Sequence, residues 1–182
     1  KYKVLIPPAG ERFGYGDGNF NLGNWYPIAA VYDHTGWNLD KYHSIGDPFY
    51  SDVSDYTVNI TAPVEYTIAA SGALLEERKE GDHKTWVFEA QDMRDFAFVT
   101  NNRFKIVEDN MDGINIKSYY YEGHEKKGKE ALEYGKKAIE VFNRKFGKYP
   151  YPTYSIVETE FPSGMEYPGL VYINEEYYEE EA

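Results

Sequence analysis

From Lys126 to Phe146 the apolar and small positions fall at Leu132, Gly135, Ile139, Phe142 and Phe146, and lysines and glutamates fill the other face. This 3-4-3-4 spacing predicts an amphipathic helix, the only long one in the chain. Gly147 supplies a stop. Tyr149-Pro150-Tyr151-Pro152 then forbids continuation, because proline has no amide hydrogen and its ring clashes with the preceding turn. A 182-residue chain can bury a core unaided, and with one long helix that core is expected to be mainly β.

The remaining pattern has period two. Tyr56, Val58 and Ile60 alternate with Thr57, Asn59 and Thr61, as in a half-buried strand. Trp86 with Phe88, Phe96 with Phe98, and Phe104 with Ile106 repeat the rule, and Tyr2, Val4 and Ile6 open the chain with it. Turns are expected at Gly14–Asn19, Gly46-Asp47-Pro48 and Glu80-Gly81-Asp82, and a longer loop from Asp40 to Asp52. Ile114–Tyr121, Tyr154–Glu158 and Gly169–Ile173 read as further strands, the last two around a loop at Pro162–Pro168. The expected architecture is an antiparallel β-sandwich or saddle domain (1–107) followed by an α+β part (108–182).

Composition excludes several classes. The net charge of −12 repels phosphate backbones, which argues against nucleic acid as a partner. With no cysteine, disulfides, thiolate metal sites and cysteine nucleophiles are ruled out. No stretch reaches the roughly 20 apolar residues of a membrane helix. Residue 1 is a lysine inside an alternating pattern, so the natural chain is expected to begin earlier, and the compartment stays open. The acidic run Glu175–Glu181 reads as a solvated helix start or tail.

Histidines stand at 34, 43, 83 and 124, none paired at i,i+4. His124-Glu125-Lys126-Lys127-Gly128 opens like a zinc helix but has glycine where the second imidazole belongs, so His124 reads as a surface loop residue. There is no Gly-Xaa-Ser-Xaa-Gly elbow and no phosphate loop. Gly14-Tyr15-Gly16-Asp17-Gly18 reads as a turn, short of the oxygen ligands calcium needs. Aromatic residues reach 18%; they suit a strand-rich core, and exposed ones could stack on sugar rings. A module binding carbohydrate or a protein partner is therefore the alternative function.

One segment carries more: Glu158-Thr159-Glu160-Phe161-Pro162-Ser163-Gly164-Met165-Glu166-Tyr167-Pro168-Gly169-Leu170-Val171. By itself it is a strand, a small-residue turn holding a glutamate, and another strand. Small residues let a substrate backbone come close, and a carboxylate can pair with an ammonium group.

Ser163-Gly164-Met165-Glu166-Tyr167 resembles the Gly-Xaa-Met-Glu-Asn motif of the M1 (gluzincin) zinc aminopeptidases at Met165 and Glu166, with the first glycine shifted or replaced by Ser163 and Tyr167 in place of the final Asn. Asn24-Trp25-Tyr26-Pro27, Asp55–Pro63, Ala69–Gly72 and Gln91–Phe98 resemble that family's N-terminal β-domain. The helix and Phe146–Pro152 resemble the opening of its thermolysin-like catalytic domain. The similarity implies that Glu166 binds the free α-ammonium of a peptide, while Ser163, Gly164 and Met165 line the scissile bond. It implies zinc in the full-length protein, held by a His-Glu-Xaa-Xaa-His helix absent from these residues. The chain is thus expected to be an inactive fragment of a metallopeptidase, without metal or catalytic residues of its own, able to self-associate through an exposed apolar face. A non-catalytic scaffold related to that family is a third reading.

Overall fold

The computed structural model describes residues 1–39, 41, 43, 46 and 49–179. The strands are β1 (Phe13–Gly16), β2 (Asn19–Leu22), β3 (Tyr32–Asp33), β4 (Gly36–Trp37), β5 (Ser54–Pro63), β6 (Thr67–Ala70), β7 (Ala73–Glu80), β8 (His83–Met93), β9 (Phe98–Asn101), β10 (Phe104–Met111) and β11 (Ile114–Tyr121). The helix α1 (Glu125–Phe146) follows, then β12 (Thr153–Thr159), β13 (Gly164–Tyr167), β14 (Leu170–Asn174) and a 3₁₀ turn at Glu175–Tyr177. The chain is mainly β, as its periodicity predicts. No described helix is long and apolar enough to cross a membrane.

Two antiparallel sheets, β1-β2-β9-β6 and β5-β8-β7, share one core. Leu22, Ile68 and Phe98 from the first meet Ile60, Trp86 and Phe88 from the second, around Met93 and Phe96. The third sheet, β10-β11-β12-β14-β13, is mixed: β11, β12 and β14 run parallel, and α1 makes the β11-to-β12 crossover that parallel pairing requires. A second core joins this sheet to the first one, with Ala69, Ala97 and Val99 packed on Val157, Leu170 and Tyr172. The change of sheet comes at Asn102–Arg103; residues 107 and 108 lie inside β10, which pairs with β11 along its whole length.

α1 buries Gly128, Leu132, Gly135 and Ile139. A methyl group at Gly128 would stand 2.2 Å from the Tyr120 ring, and one at Gly135 2.3 Å from Ile156 Cδ1, so the helix lies close on the sheet. The predicted apolar stripe leaves the core in its last turns. Phe142 is 55% and Phe146 80% exposed, their rings 5.9 Å apart.

Three other expectations are corrected. Tyr2, Val4 and Ile6 form no strand, since Pro7 and Pro8 cannot donate to a ladder and only Pro8 makes a bridge, to Tyr15. Phe96 lies in the irregular stretch between β8 and β9, where the Asp95 carboxylate accepts its amide hydrogen (2.7 Å), not in a strand. The acidic tail is not simply solvated: Tyr178 is buried. The Gly46-Asp47-Pro48 turn, the Asp40–Asp52 loop and the Glu180–Ala182 end lie wholly or partly outside the described residues.

Candidate functional site

β12 has parallel neighbours on both sides, so Ser155 through Thr159 are all buried. The chain leaves this strand through a tied turn. Thr159 Oγ1 accepts the Phe161 amide (3.2 Å), Phe161 packs edge-on against Tyr172, and the Ser163 carbonyl accepts the Asn174 amide (2.9 Å). Ser163 is held at φ +82°, a left-handed conformation that costs a non-glycine residue roughly 1–3 kcal/mol. The surrounding bonds fix it there.

The segment expected to be a loop at Pro162–Pro168 contains a strand. β13 pairs antiparallel with β14, Gly164 opposite Ile173, Met165 opposite Tyr172, Glu166 opposite Val171 and Tyr167 opposite Leu170. Pro168-Gly169 closes the hairpin; Gly169 has φ +75°, the value the third residue of a type II turn requires, with proline favoured before it. β13 ends the sheet, so its outer backbone edge has no neighbour strand among the described residues.

Ser163 stands just before the strand, and the pleat sorts the other three predicted residues together with Tyr167. Gly164 and Glu166 point outward and are exposed; Met165 and Tyr167 point into the core shared with the first sheet. Tyr167 is buried, its ring 5.2 Å from that of Tyr172. Its hydroxyl reaches the β2 end so closely that a methyl group at Gly23 would lie 1.8 Å from it. The residue at the variant motif position therefore clamps the edge strand onto the N-terminal β region.

Glu166 and Met165 open onto a cleft of about 220 Å³, walled otherwise by Ile28, Phe49, Ser51, Arg94, Asp95 and their neighbours. Asp95 is occupied: it accepts from Asn24 Nδ2 (3.1 Å), Tyr26 Oη (3.0 Å) and the Phe96 amide. Burial raises its carboxyl above the usual range, and the bonds from Tyr26 and Phe96 oppose that. Arg94 is pinned by a short bond from Nη1 to the Ser51 carbonyl, while its own carbonyl accepts from Ser51 and Tyr56 hydroxyls at 3.3 Å each.

A second polar cluster lies behind the turn. Glu158 is fully buried; one oxygen accepts the Tyr121 amide (2.8 Å) and the other meets His124 Nδ1 at 2.6 Å. Burial raises the Glu158 carboxyl; the Tyr121 and His124 contacts pull the other way, and Glu175 adds to the rise. His124 sits in the turn between β11 and α1, as expected, but it is tied inward and not free at the surface. Its side chain is 27% exposed and stacks against Tyr178. The signal in the sequence was Glu158 inside a strand-forming run, where an unpaired acid would be costly.

No described group of three His, Asp or Glu side chains is placed to share a cation. The zinc implied by the motif has no ligand set among the described residues. No known family model and no curated protein matches this chain.

Proposed function

We propose that this chain carries the part of a zinc-dependent aminopeptidase that grips the free amino end of a peptide, with the metal ligands supplied from outside the described residues. The single observation behind this reading is the edge strand β13. Its outer backbone rim has no neighbour strand among the described residues, and its outward face carries Gly164 and the exposed Glu166, the latter opening onto a cleft. An extended peptide can add to such a rim by main-chain hydrogen bonds. Glu166 then receives its α-ammonium in a charge-assisted bond, which sets the register at the first residue. Gly164 leaves room for the backbone, and Ser163 and Met165 hold the rim in place. By this reading the chain alone does not hydrolyse peptides. The exposed Tyr134, Phe142 and Phe146 of α1 give it, in the same proposal, a surface for self-association.

The test is an NMR titration of the isotope-labelled chain with Leu-Ala amide and its N-acetyl derivative. Only the free amine is expected to shift β13 signals, in the millimolar range, and Glu166→Gln should weaken it by about tenfold. Equal responses to the two ligands would remove the assigned role.

The carbohydrate reading rests on Tyr32 and Trp37, both exposed on the β3–β4 hairpin. Their rings stand at 73°, edge to face, and offer no flat platform for a sugar. The peptide reading is favoured.

A further inference from the structure

We infer that Arg94 is a specificity-determining residue, taking a carboxylate of the same ligand whose ammonium sits on Glu166. The inference rests on the peptide reading above and extends it to the substrate class: short peptides with a negative charge close to their free amino end.

Three observations carry it. Arg94 and Glu166 line one cleft, and among its described lining residues Arg94 is the only cation. The arginine forms no ion pair with a described carboxylate, although Asp95 is its chain neighbour; that acid is turned away into bonds from Asn24, Tyr26 and the Phe96 amide. The guanidinium is also positioned in advance. One arm is spent on the Ser51 carbonyl, and the Arg94 backbone is held by Ser51 and Tyr56, so the rest of the fork is presented without a large ordering cost.

Charge complementarity then selects the ligand. A neutral peptide amide would satisfy Glu166 but leave the cation facing a wall built largely from Ile28, Phe49, Met165 and Pro168. A ligand bearing both charges pairs both ends. Two sources of carboxylate fit this chemistry, an acidic first side chain or the C-terminus of a dipeptide.

The experiment measures dissociation constants by NMR titration for Leu-Ala amide, Glu-Ala amide, Leu-Ala and N-acetyl-Leu-Ala amide. Leu-Ala amide is the baseline. About tenfold tighter binding of Glu-Ala amide assigns the side-chain carboxylate; the same gain for Leu-Ala assigns the C-terminus. Arg94→Gln, which keeps a donor toward Ser51 without the charge, should abolish either gain, so that the charged ligand binds no tighter to the variant than Leu-Ala amide does. Arg94→Lys should restore part of it. Alike binding of the three free-amine ligands, or a gain that survives Arg94→Gln, overturns the role of Arg94 while sparing Glu166. Absence of binding by all of them, or equal binding of the acetylated ligand, overturns both.

Discussion

Two edge strands of this molecule are built in opposite ways. β7 closes its sheet with Ala-Leu-Leu-Glu-Glu-Arg-Lys-Glu; seven of its eight residues are exposed and five carry charge. β13 closes its own sheet with Gly-Met-Glu-Tyr, a single charge and two side chains turned inward. Charged side chains along an edge keep other strands from pairing there. β7 is thus blunted against strand addition. No described strand covers the rim of β13, and the strand is secured from behind through Tyr167 and Met165, as the proposed peptide role requires. The attachments differ too: β7 joins β8 through the exposed turn at Gly81, whereas β13 leaves β12 just after the buried Glu158 and Thr159.

If anchoring from behind is what distinguishes β13, removing the anchor should give the largest effect. Tyr167→Ala empties a buried ring site between Tyr172 and Gly23. Loss of a buried aromatic costs about 3–5 kcal/mol, which in a chain of this size lowers the melting temperature by roughly 10 °C. Thermal unfolding followed by circular dichroism checks this, and amide exchange should show β13 opening first. A variant melting with the parent would mean that the strand is held by its ladder with β14 alone.

The contrast also explains what could be read in advance. The helix and strands β5, β11, β12 and β14 were legible because each has its own periodicity within one stretch of chain. β13 was not: Pro162, Ser163, Gly164, Pro168 and Gly169 are turn formers, and the strand between them exists because β14 offers it a ladder. Periodicity misled where no sheet was there to receive it. Phe142 and Phe146 keep the helical spacing yet stay exposed, and Tyr2 and Val4 alternate without forming a strand. The resemblance singles out Glu166 and its neighbours from sequence alone. Arg94 and Asp95, distant in sequence, became part of the site only through folding. Likewise the His124–Glu158 pair spans 34 residues, a separation no local pattern reports.

A middle-sized effect should come from the root of β13. The folded-state carboxyl of Glu158 is raised above its ordinary 4.5, mainly by burial, so the unfolded chain gives up this proton first. Above pH 4.5 the unfolded state therefore binds fewer protons than the folded one, and stability falls with rising pH until the raised folded value is passed. The contribution is fully present below the unfolded value and is lost as pH rises through the folded one. Glu158→Gln cannot ionise. Urea midpoints of the two proteins, measured from about pH 4 to pH 8, should draw apart in favour of Gln as pH rises. Parallel profiles would mean that His124 and the Tyr121 amide compensate the buried charge fully. β13 would then hang from a root indifferent to pH.

The smallest effect belongs to β7 and tests the other half of the comparison. Arg78 reaches Glu76 with two bonds, Nε to Oε1 at 2.6 Å and Nη2 to Oε2 at 2.7 Å, yet both side chains are at least half exposed. Such a pair sits in water and is screened by salt, so its geometry adds little to folding. Arg78→Ala should leave the thermal midpoint where it was, at low and high salt alike. If these charges act against association instead, the double change Glu76→Val with Arg78→Val should raise concentration-dependent light scattering with the midpoint still unmoved. A midpoint loss matching that of Tyr167→Ala would show that β7 also depends on its side chains for stability, and the division between a guarded edge and an anchored one would no longer stand.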